Sequence, residues 1–513
     1  MTSPSTMLGA GFHPELLAGL GVEITRLVTD SREVKPGDTF VAYPGGQTDG
    51  RRFIEQAIAS GANAVIWEAK NFVWDESWQV PHLAIAELRQ QAGALADYVY
   101  GSPSKKLWMV GVTGTNGKTT CSHWIARALY ALGRKSALLG TLGNGFPGVL
   151  QHTLNTTPEA ITVHGLLASY VQQDAQAVAM EVSSHALAQG RVNGVHYDVA
   201  LLTNLSRDHL DFHGDMHSYA SAKRRLFDWT HLKYAVLNLD DPFGAELAEA
   251  LRDAEVEVIG YGLNETALQL AERLGIRMVF GSDLLMDAQG MTLHIRSSWG
   301  GAELHSRLIG RFNASNLLGT LAVLLVSGIE LSAAAHELEQ QKAVAGRMQT
   351  LGGKDKPTVV VDYAHTPDAL EKVLQALHEV NAPGKGKLIC VFGCGGDRDR
   401  GKRPMMGTVA AKLADESIVT SDNPRSESPK AIIDAILFGM EGGTYQVIED
   451  RAHAITRAVA MARAEDTVLV AGKGHEDYQE IDGVKQPFSD SEVVRRALSV
   501  WEPVNLKREW STA

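Results

Sequence analysis

Short apolar runs punctuate this chain, and stretches with helical spacing lie between them. WMVGV (108–112), AVAMEV (177–182), YDVALLTNL (197–205) and YAVLNLD (234–240) predict buried strands. TTCSHWIARALYALG carries its apolar residues at helical spacing and stops at Gly133. Strands alternating with helices over this length imply a largely parallel sheet. Between Tyr261 and His305 the pattern changes: MTLHIRSSWG and ELHSRLIG predict an antiparallel addition, and FNASNLLGTLAVLLVSG then predicts a long apolar helix. Near residue 340 a second alternating set begins, with PTVVVDY, KLICVFG, ESIVTSD, YQVIED and DTVLVAG as strands and PDALEKVLQALHEV as a helix. Ahead of both sets, VTDSREVKPGDTFVAYPGGQTDGRRF, AIASGANAVIWE and VPHLAIAEL read as a small α/β unit. A helix from Leu88 to Tyr100 closes that unit before GSPSKK, a linker.

At 513 residues the chain exceeds one ordinary core. The expectation is an α/β protein of three domains. Residues 1–105 form a small N-terminal α/β domain, and residues 106–339 a central P-loop ATPase-like domain with a mostly parallel sheet. Residues 340–513 form a C-terminal Rossmann-like, doubly wound domain.

Composition narrows the functions. A formal charge of -12 gives no basic field for DNA or RNA, although the cluster Arg398 to Arg403 could receive a small anion. No stretch is long and apolar enough to span a membrane, and the N-terminus lacks a secretory signal, so the expected compartment is the cytoplasm. The three cysteines, Cys121, Cys390 and Cys394, lack zinc-site spacing and read as reduced thiols.

GVTGTNGKTTCSHW (111–124) carries the first chemistry. Glycines let successive backbone amides face phosphate oxygens, helped by the N-terminus of the following helix. Lys118 would bring a mobile charge to the outer phosphates and Thr119 a hydroxyl for magnesium. A strict Walker loop wants glycine where Val112 stands, and Gly111 falls one place early, so only the GKT end matches. The strand–loop–helix setting nevertheless points to phosphate binding.

Two more strands should end at the same sheet edge, where open α/β proteins bind ligands. One delivers Glu181 and the other leads to His209, and each can donate a lone pair to a divalent cation. Plainer roles stay open: Glu181 as a helix cap, His209 as a solvated loop residue. Asp208, Asp211 and His213 crowd the same loop, so position alone selects no ligand. Lys223, Arg224 and Arg225 are adjacent in a helical stretch, which by itself reads as a wet basic surface.

Taken in order, GTNGKTT, NTTP, EVSSHAL, NLSRDHLDFHG, SYASAK, GRFNASN, AGRM, DYAHTPDAL, CGGDRDRGKRP, DNPR and GKGHE resemble the ATP-dependent Mur ligases. The resemblance runs from DSR near residue 30 to GKGHE near residue 475 and is greatest to members that add meso-diaminopimelate. It implies a monomer that joins meso-2,6-diaminopimelate to UDP-N-acetylmuramoyl-L-alanyl-D-glutamate through an acyl phosphate, consuming ATP. The alternatives on this scaffold are the lysine-adding ligase and folylpolyglutamate synthetase. DSR and DNPR favour the first reading.

The same resemblance assigns residues. Gly114, Thr115, Asn116, Gly117, Lys118, Thr119 and Thr120 cradle ATP, with Asn313 and Arg347 contacting the nucleotide and Asp362 orienting it. Thr119 and Glu181 hold one magnesium ion and His209 stands near a second. Lys223 matches the family's carbamylated lysine, whose anionic oxygens can serve a cation. Thr29, Ser31, Gly46, Gln47 and Thr48 in the first domain meet the uridine nucleotide. Asn155, Thr156, Thr157, Ser183, Gln189 and Arg191 meet the rest of the nucleotide-peptide. Arg398, Asp422, Asn423, Pro424, Arg425, Gly472 and Glu476 select the amino acid: Arg425 can grip a distal carboxylate and Glu476 an ammonium.

Overall fold

A computed structural model of the chain describes residues 12–46, 48–153, 155–287, 289–381 and 386–503. Three large sheets follow one another along the sequence, each with its own core, and a two-stranded hairpin, Tyr478–Ile481 with Val484–Pro487, follows the last. In the first, the strands Leu27–Val28, Thr39–Ala42, Ala64–Glu68 and His82–Ile85 lie side by side in sequence order, all parallel. The helix Leu88–Val99 packs on one face, and Ala160 and Ile161 of the central domain close the same core.

The central sheet has eleven strands among the described residues. Trp108–Thr113 lies in the middle, between Val199–Leu202 and Ala177–Glu181 and parallel to both. Such a strand is buried on both faces, which is why these segments read as unbroken apolar runs. Parallel pairing also brings their carboxyl ends to one edge, where residues 114–120, 182–185 and 203–213 emerge together. The antiparallel addition is present as Arg277–Asp287, Gly290–Ser297 and Gly300–Ser306. At the opposite edge Gly143–Phe146 and Val149–Gln151 form a short antiparallel extension that periodicity did not announce. The apolar helix Arg311–Val326 is buried nearly all round, between the sheet and the helix Lys118–Ala131, so it has no polar stripe to display.

In the third sheet the order is Gln349–Gly352, Thr358–Asp362, Thr467–Ala471, Leu388–Phe392, Glu416–Val419 and Tyr445–Val447. All pairs are parallel except the first, an edge strand too short and glycine-ended to stand out in sequence. Residues 362, 393–401, 420–425 and 472–476 leave this sheet at one edge, and they face the edge of the central sheet. Among the described residues no helix is long and apolar enough to cross a membrane.

Candidate active site

The phosphate loop is shaped by what lies behind it. Gly114 and Gly117 both adopt positive φ, +144° and +87°. A Cβ on Gly114 would collide with Thr203 Oγ1, and one on Gly117 would lie 2.6 Å from Asn316 Oδ1. Only glycine meets both demands. Asn204 pins the loop by accepting from Thr115 N at 2.9 Å through its carbonyl and from Asn116 N at 3.0 Å through Oδ1. The following helix makes its first internal bond from Cys121 N to Gly117 O, which leaves the amides of Lys118, Thr119 and Thr120 outside the ladder. Lys118 Nζ leans back on the carbonyls of Gly114 and Thr115, each at 2.9 Å. Cys121 is buried and its thiol is pushed up to about 12 by burial, which suits a packing residue and not a nucleophile.

Glu181 is fully buried beside the loop. Its carboxylate accepts from Thr119 Oγ1 at 2.9 Å, Thr141 Oγ1 at 3.0 Å and Thr141 N at 2.8 Å, with no cation in contact among the described residues. A buried carboxylate set among hydroxyls is an oxygen-donor set of the kind magnesium takes. The helix-cap role left open for Glu181 is therefore ruled out. Ser183 caps the next helix instead. His209, at φ +55°, is half-buried. Burial, opposed by Asp208 and reinforced by His185, Lys118 and Lys223, keeps its imidazole neutral, the form that can ligate a metal. Asp208 is the buried acid of this loop, 3.3 Å from His209 Nε2 and 3.6 Å from His365 Nε2. Burial opposes its ionisation, but the hydrogen bond from His365, with Lys402 nearby, holds it well below the usual carboxylate range. Sequence position had not distinguished it from Asp211, which lies nearer the surface.

Lys223 overturns the wet-surface reading of its helix. It is 1% exposed at the end of Met216–Arg224, and its Nζ donates to Gly114 O at 2.7 Å, 4.5 Å from the Tyr219 ring centroid. No carboxylate pairs with it among the described residues. Burial, with Lys118 nearby, drives its ammonium well below the ordinary lysine value.

From the third domain, Arg347 Nη2 reaches Thr119 Oγ1 at 3.3 Å and its guanidinium lies 4.3 Å over the Tyr363 ring. Asp362 is buried and accepts from Met348 N and Ala364 N, both at 2.7 Å, so it clamps the two segments on either side of it. Asn116 Nδ2 donates to Asp368 across the domains at 3.1 Å. Between these groups lies a cavity of about 510 Å³, lined by Asn116, Gly117, Asn313, Arg347 and Asp362, a volume suited to a nucleotide. Asn316, the last residue of the motif GRFNASN but given no role by it, and Lys372, which no motif holds, also line it.

Of the nucleotide-peptide residues, Thr156, Thr157, Ser183, Gln189 and Arg191 form one connected patch against Glu181. Thr156 Oγ1 donates to Thr141 Oγ1 at 3.0 Å, whose own hydrogen goes to Glu181; Thr157 Oγ1 donates to Glu181 O at 2.8 Å, and Ser183 N to Thr157 Oγ1 at 3.1 Å. Arg191 donates to Gln189 at 2.8 Å and Thr157 O at 3.0 Å. Asn155 is exposed beside the patch. In the first domain Ser31 is buried and bonds Gln56 at 2.9 Å, Thr29 is half-buried, and Gly46 and Thr48 are exposed in a tight turn. None of these four bonds directly to the central patch. Gln47 lies outside the described residues.

The amino-acid residues do converge. Gly472, at φ +119°, leaves no room for a Cβ against Asp422 Oδ2. Asn423 donates to Glu476 at 2.8 Å and accepts from Lys473 Nζ at 2.9 Å, while Lys473 also reaches Glu476 at 3.0 Å. Arg425, at φ +52° after Pro424, donates to Gly396 O at 2.8 Å and lies 3.3 Å from Glu480. Lys473 was inside a quoted motif yet went unassigned. Only burial at a strand end marks it. The cluster Arg398 to Arg403 is not one anion site: Arg400 and Arg403 both pair with Glu427, at 3.2 and 2.8 Å, and Lys402 is buried. Arg398 alone faces the site, 3.8 Å from Asp211.

Family models match in chain order: the Mur ligase family, catalytic domain (residues 23–100), the Mur ligase middle domain (112–324) and the Mur ligase, glutamate ligase domain (346–474). The UDP-N-acetylmuramoyl-L-alanyl-D-glutamate--2,6-diaminopimelate ligase of Chromobacterium violaceum is 51% identical over 96% of this chain and 97% of its own length. The ligase of the same name from Nitrosomonas europaea is 48% identical, over 97% of each. A solved structure of a ligase of that name superposes with a TM-score of 0.64 at 38% identity, over 93% of this chain and 95% of that one. With three models in register with three sheets and relatives alike over nearly their whole length, this chain belongs to the Mur ligase family.

Proposed function

We propose that this chain joins meso-2,6-diaminopimelate to the terminal carboxyl of UDP-N-acetylmuramoyl-L-alanyl-D-glutamate, releasing ADP and phosphate in the assembly of a peptidoglycan precursor. One observation carries the reading: a phosphate loop and an acid-and-arginine cluster stand on facing sheet edges of different domains, joined by Arg347–Thr119 and Asn116–Asp368, with a cavity of nucleotide size beside the loop. A ligase must hold an activated carboxyl and an amine together while excluding water, and facing sheet edges do so.

As a Mur ligase the chain is an ATP-dependent amide ligase that uses magnesium. A carboxylate cannot expel oxide, so its oxygen first attacks the terminal phosphorus of ATP and ADP departs. The amine nitrogen then adds to the acyl carbon, loses a proton, and expels phosphate bearing the former carboxylate oxygen. Lys118 and the amides of Lys118, Thr119 and Thr120 would neutralise and hold the transferring phosphoryl group. Arg347 adds a third-domain charge there, and Asp362, by accepting from Met348 N, fixes the segment that carries Arg347. Asn313, on the cavity wall, would meet the nucleoside. Thr119, Glu181 and His209 would hold magnesium, whose chemistry when bound is to offset phosphate charge.

Lys223 is read as a carbamate. A buried lysine held neutral is the form whose nitrogen adds to carbon dioxide with loss of a proton. The product keeps an N–H for Gly114 O and places an anion where no carboxylate stands. Thr156, Thr157, Ser183, Gln189 and Arg191, with Asn155, are read as the cradle for the peptide end, adjoining Glu181. Thr29, Ser31 and the turn at Gly46 and Thr48 are read as the uridine side. Asp422, Asn423, Pro424, Arg425, Gly472, Glu476 and Arg398 form the amino-acid pocket.

The test is ATP-dependent phosphate release with the UDP-linked dipeptide, comparing meso-diaminopimelate with L-lysine. Turnover with the first at least about a hundredfold above the second is expected, because lysine lacks the distal carboxylate that Arg425 would take in exchange for Glu480. Equal turnover overturns the specificity. Release of phosphate without carboxylate-derived oxygen overturns the acyl phosphate.

A further inference from the structure

Two loops that meet across the central and third domains exchange charge in both directions. Arg207, two residues before His209, donates from Nε and Nη2 to Asp399 at 2.9 and 3.2 Å. In the opposite sense Arg398, beside Asp399, reaches back to Asp211, two residues after His209. Asp399 is only 10% exposed and also accepts from Gly401 N at 2.9 Å, which ties the fork to the head of the helix Lys402–Leu413. The two loops approach closely at Gly401. Gly401 has ordinary helical φ, -64°, so no turn requires glycine there, yet a Cβ would lie 2.7 Å from Arg207 Nη2. Two parallel donors on one carboxylate fix orientation as well as distance, which a point charge cannot do.

We propose that Arg207 is a positioning residue for the amino-acid substrate. Its fork on Asp399 docks the loop 396–401, and Arg398 with it, onto the loop that carries Asp208 and His209. The amino-acid pocket then presents Arg398 in register only when the two domains are together. This rests on the assignment of Arg398 to diaminopimelate made above. Arg207 touches no reacting atom. Because its side chain is partly exposed, the fork is worth about fivefold in binding.

Steady-state kinetics on the full chain test it. Arg207→Ala and Asp399→Asn, the latter keeping an acceptor for Gly401 N, should each raise KM for meso-diaminopimelate about fivefold. Under the same conditions KM for ATP and for the nucleotide-dipeptide should move less than about twofold. Arg207→Lys, which keeps charge but loses the fork, should fall between. The double variant should be no worse than either single one, because both remove the same contact. Additive losses, or equal rises in all three KM values, overturn the proposal. A second measurement needs no amine substrate: with ADP and magnesium present, small-angle scattering should give a larger radius of gyration for Arg207→Ala than for the unaltered chain. An unchanged radius overturns the docking role. Absence of wild-type turnover with diaminopimelate overturns the functional assignment instead.

Discussion

The two ends of the candidate site, one on the central domain and one on the third, treat charge in opposite ways. At the phosphate end the lysines rest on neutral backbone: Lys118 on the carbonyls of Gly114 and Thr115, and Lys223 on Gly114. At the amino-acid end each cation already has a carboxylate: Lys473 has Glu476, Arg425 has Glu480 and Arg398 has Asp211. At the first end neither lysine touches a carboxylate, so Lys118 is free to meet an incoming polyphosphate and Lys223 to change its own charge. The second is balanced before anything binds, which suits a zwitterion with as many ammonium groups as carboxylates. Affinity at the first end should come from net charge. Selectivity at the second should come from exchanging one set of partners for another in a fixed geometry.

The largest effect is expected at the unbalanced end. Lys223→Ala should lower kcat by about a thousandfold or more, the scale on which stabilisation of phosphoryl transfer acts. Because the missing group on the carbamate reading is an anion, acetate or formate at high concentration should restore part of the rate. Lys118→Ala, which loses a cation, should not respond to either. If neither variant is rescued while both fold and bind ATP, the carbamate reading fails and Lys223 counts only as a buried amine bonded to Gly114.

At the balanced end Arg425→Ala should lower kcat/KM for meso-diaminopimelate about a hundredfold, the loss of a paired, charge-assisted contact. It should leave KM for ATP within about twofold and change turnover of L-lysine little, so that the preference collapses from one side. A parallel fall for both amines would mean that Arg425 holds the loop, through Gly396 O and Glu480, and not the substrate.

Glycine lesions sharpen the contrast, because the same chemical change strikes different substrates. Gly117→Ala presses on Asn316 at the phosphate loop, and Gly472→Ala presses on Asp422 at the amino-acid pocket. Each places a methyl group at positive φ, a strain of about 1–3 kcal/mol. The first should raise KM for ATP and the second KM for diaminopimelate, each about tenfold, with little crossover. Equal effects on both substrates would show that the two ends move as one body.

Much of this was legible in the chain. The strands of both doubly wound sheets stand out because parallel strands buried on both faces read as apolar runs, and their shared carboxyl edge follows from topology. GKT and the carboxylate at Glu181 could be placed on that edge by position alone. Which acid of the loop 208–213 turns inward could not, because it depends on the left-handed backbone at His209. Lys473 was hidden for a similar reason. Glu476 lies three residues on in the same loop, but Asn423 comes from another strand end and joins them only after the sheet has formed. The carbamate role of Lys223 came entirely from the family resemblance, since charge spacing pointed the other way.

The smallest effect concerns the residue next to Lys223. On the helix Met216–Arg224 the buried positions are Tyr219, Ala222 and Lys223, the three- and four-residue spacing of one face. One further residue turns about 100°, and Arg224 therefore points outward. It is 42% exposed and bonds Asp228 one turn on at 3.4 Å, an ordinary surface pair worth about 0.3–0.5 kcal/mol. Arg224→Gln should keep kcat within about twofold and shift Tm by no more than about 2 °C. The adjacent pair thus separates two explanations of the phosphate end. A diffuse positive field would weaken with either loss. A single buried nitrogen against Gly114 depends on Lys223 alone, and a large fall in kcat for Arg224→Gln would decide for the field.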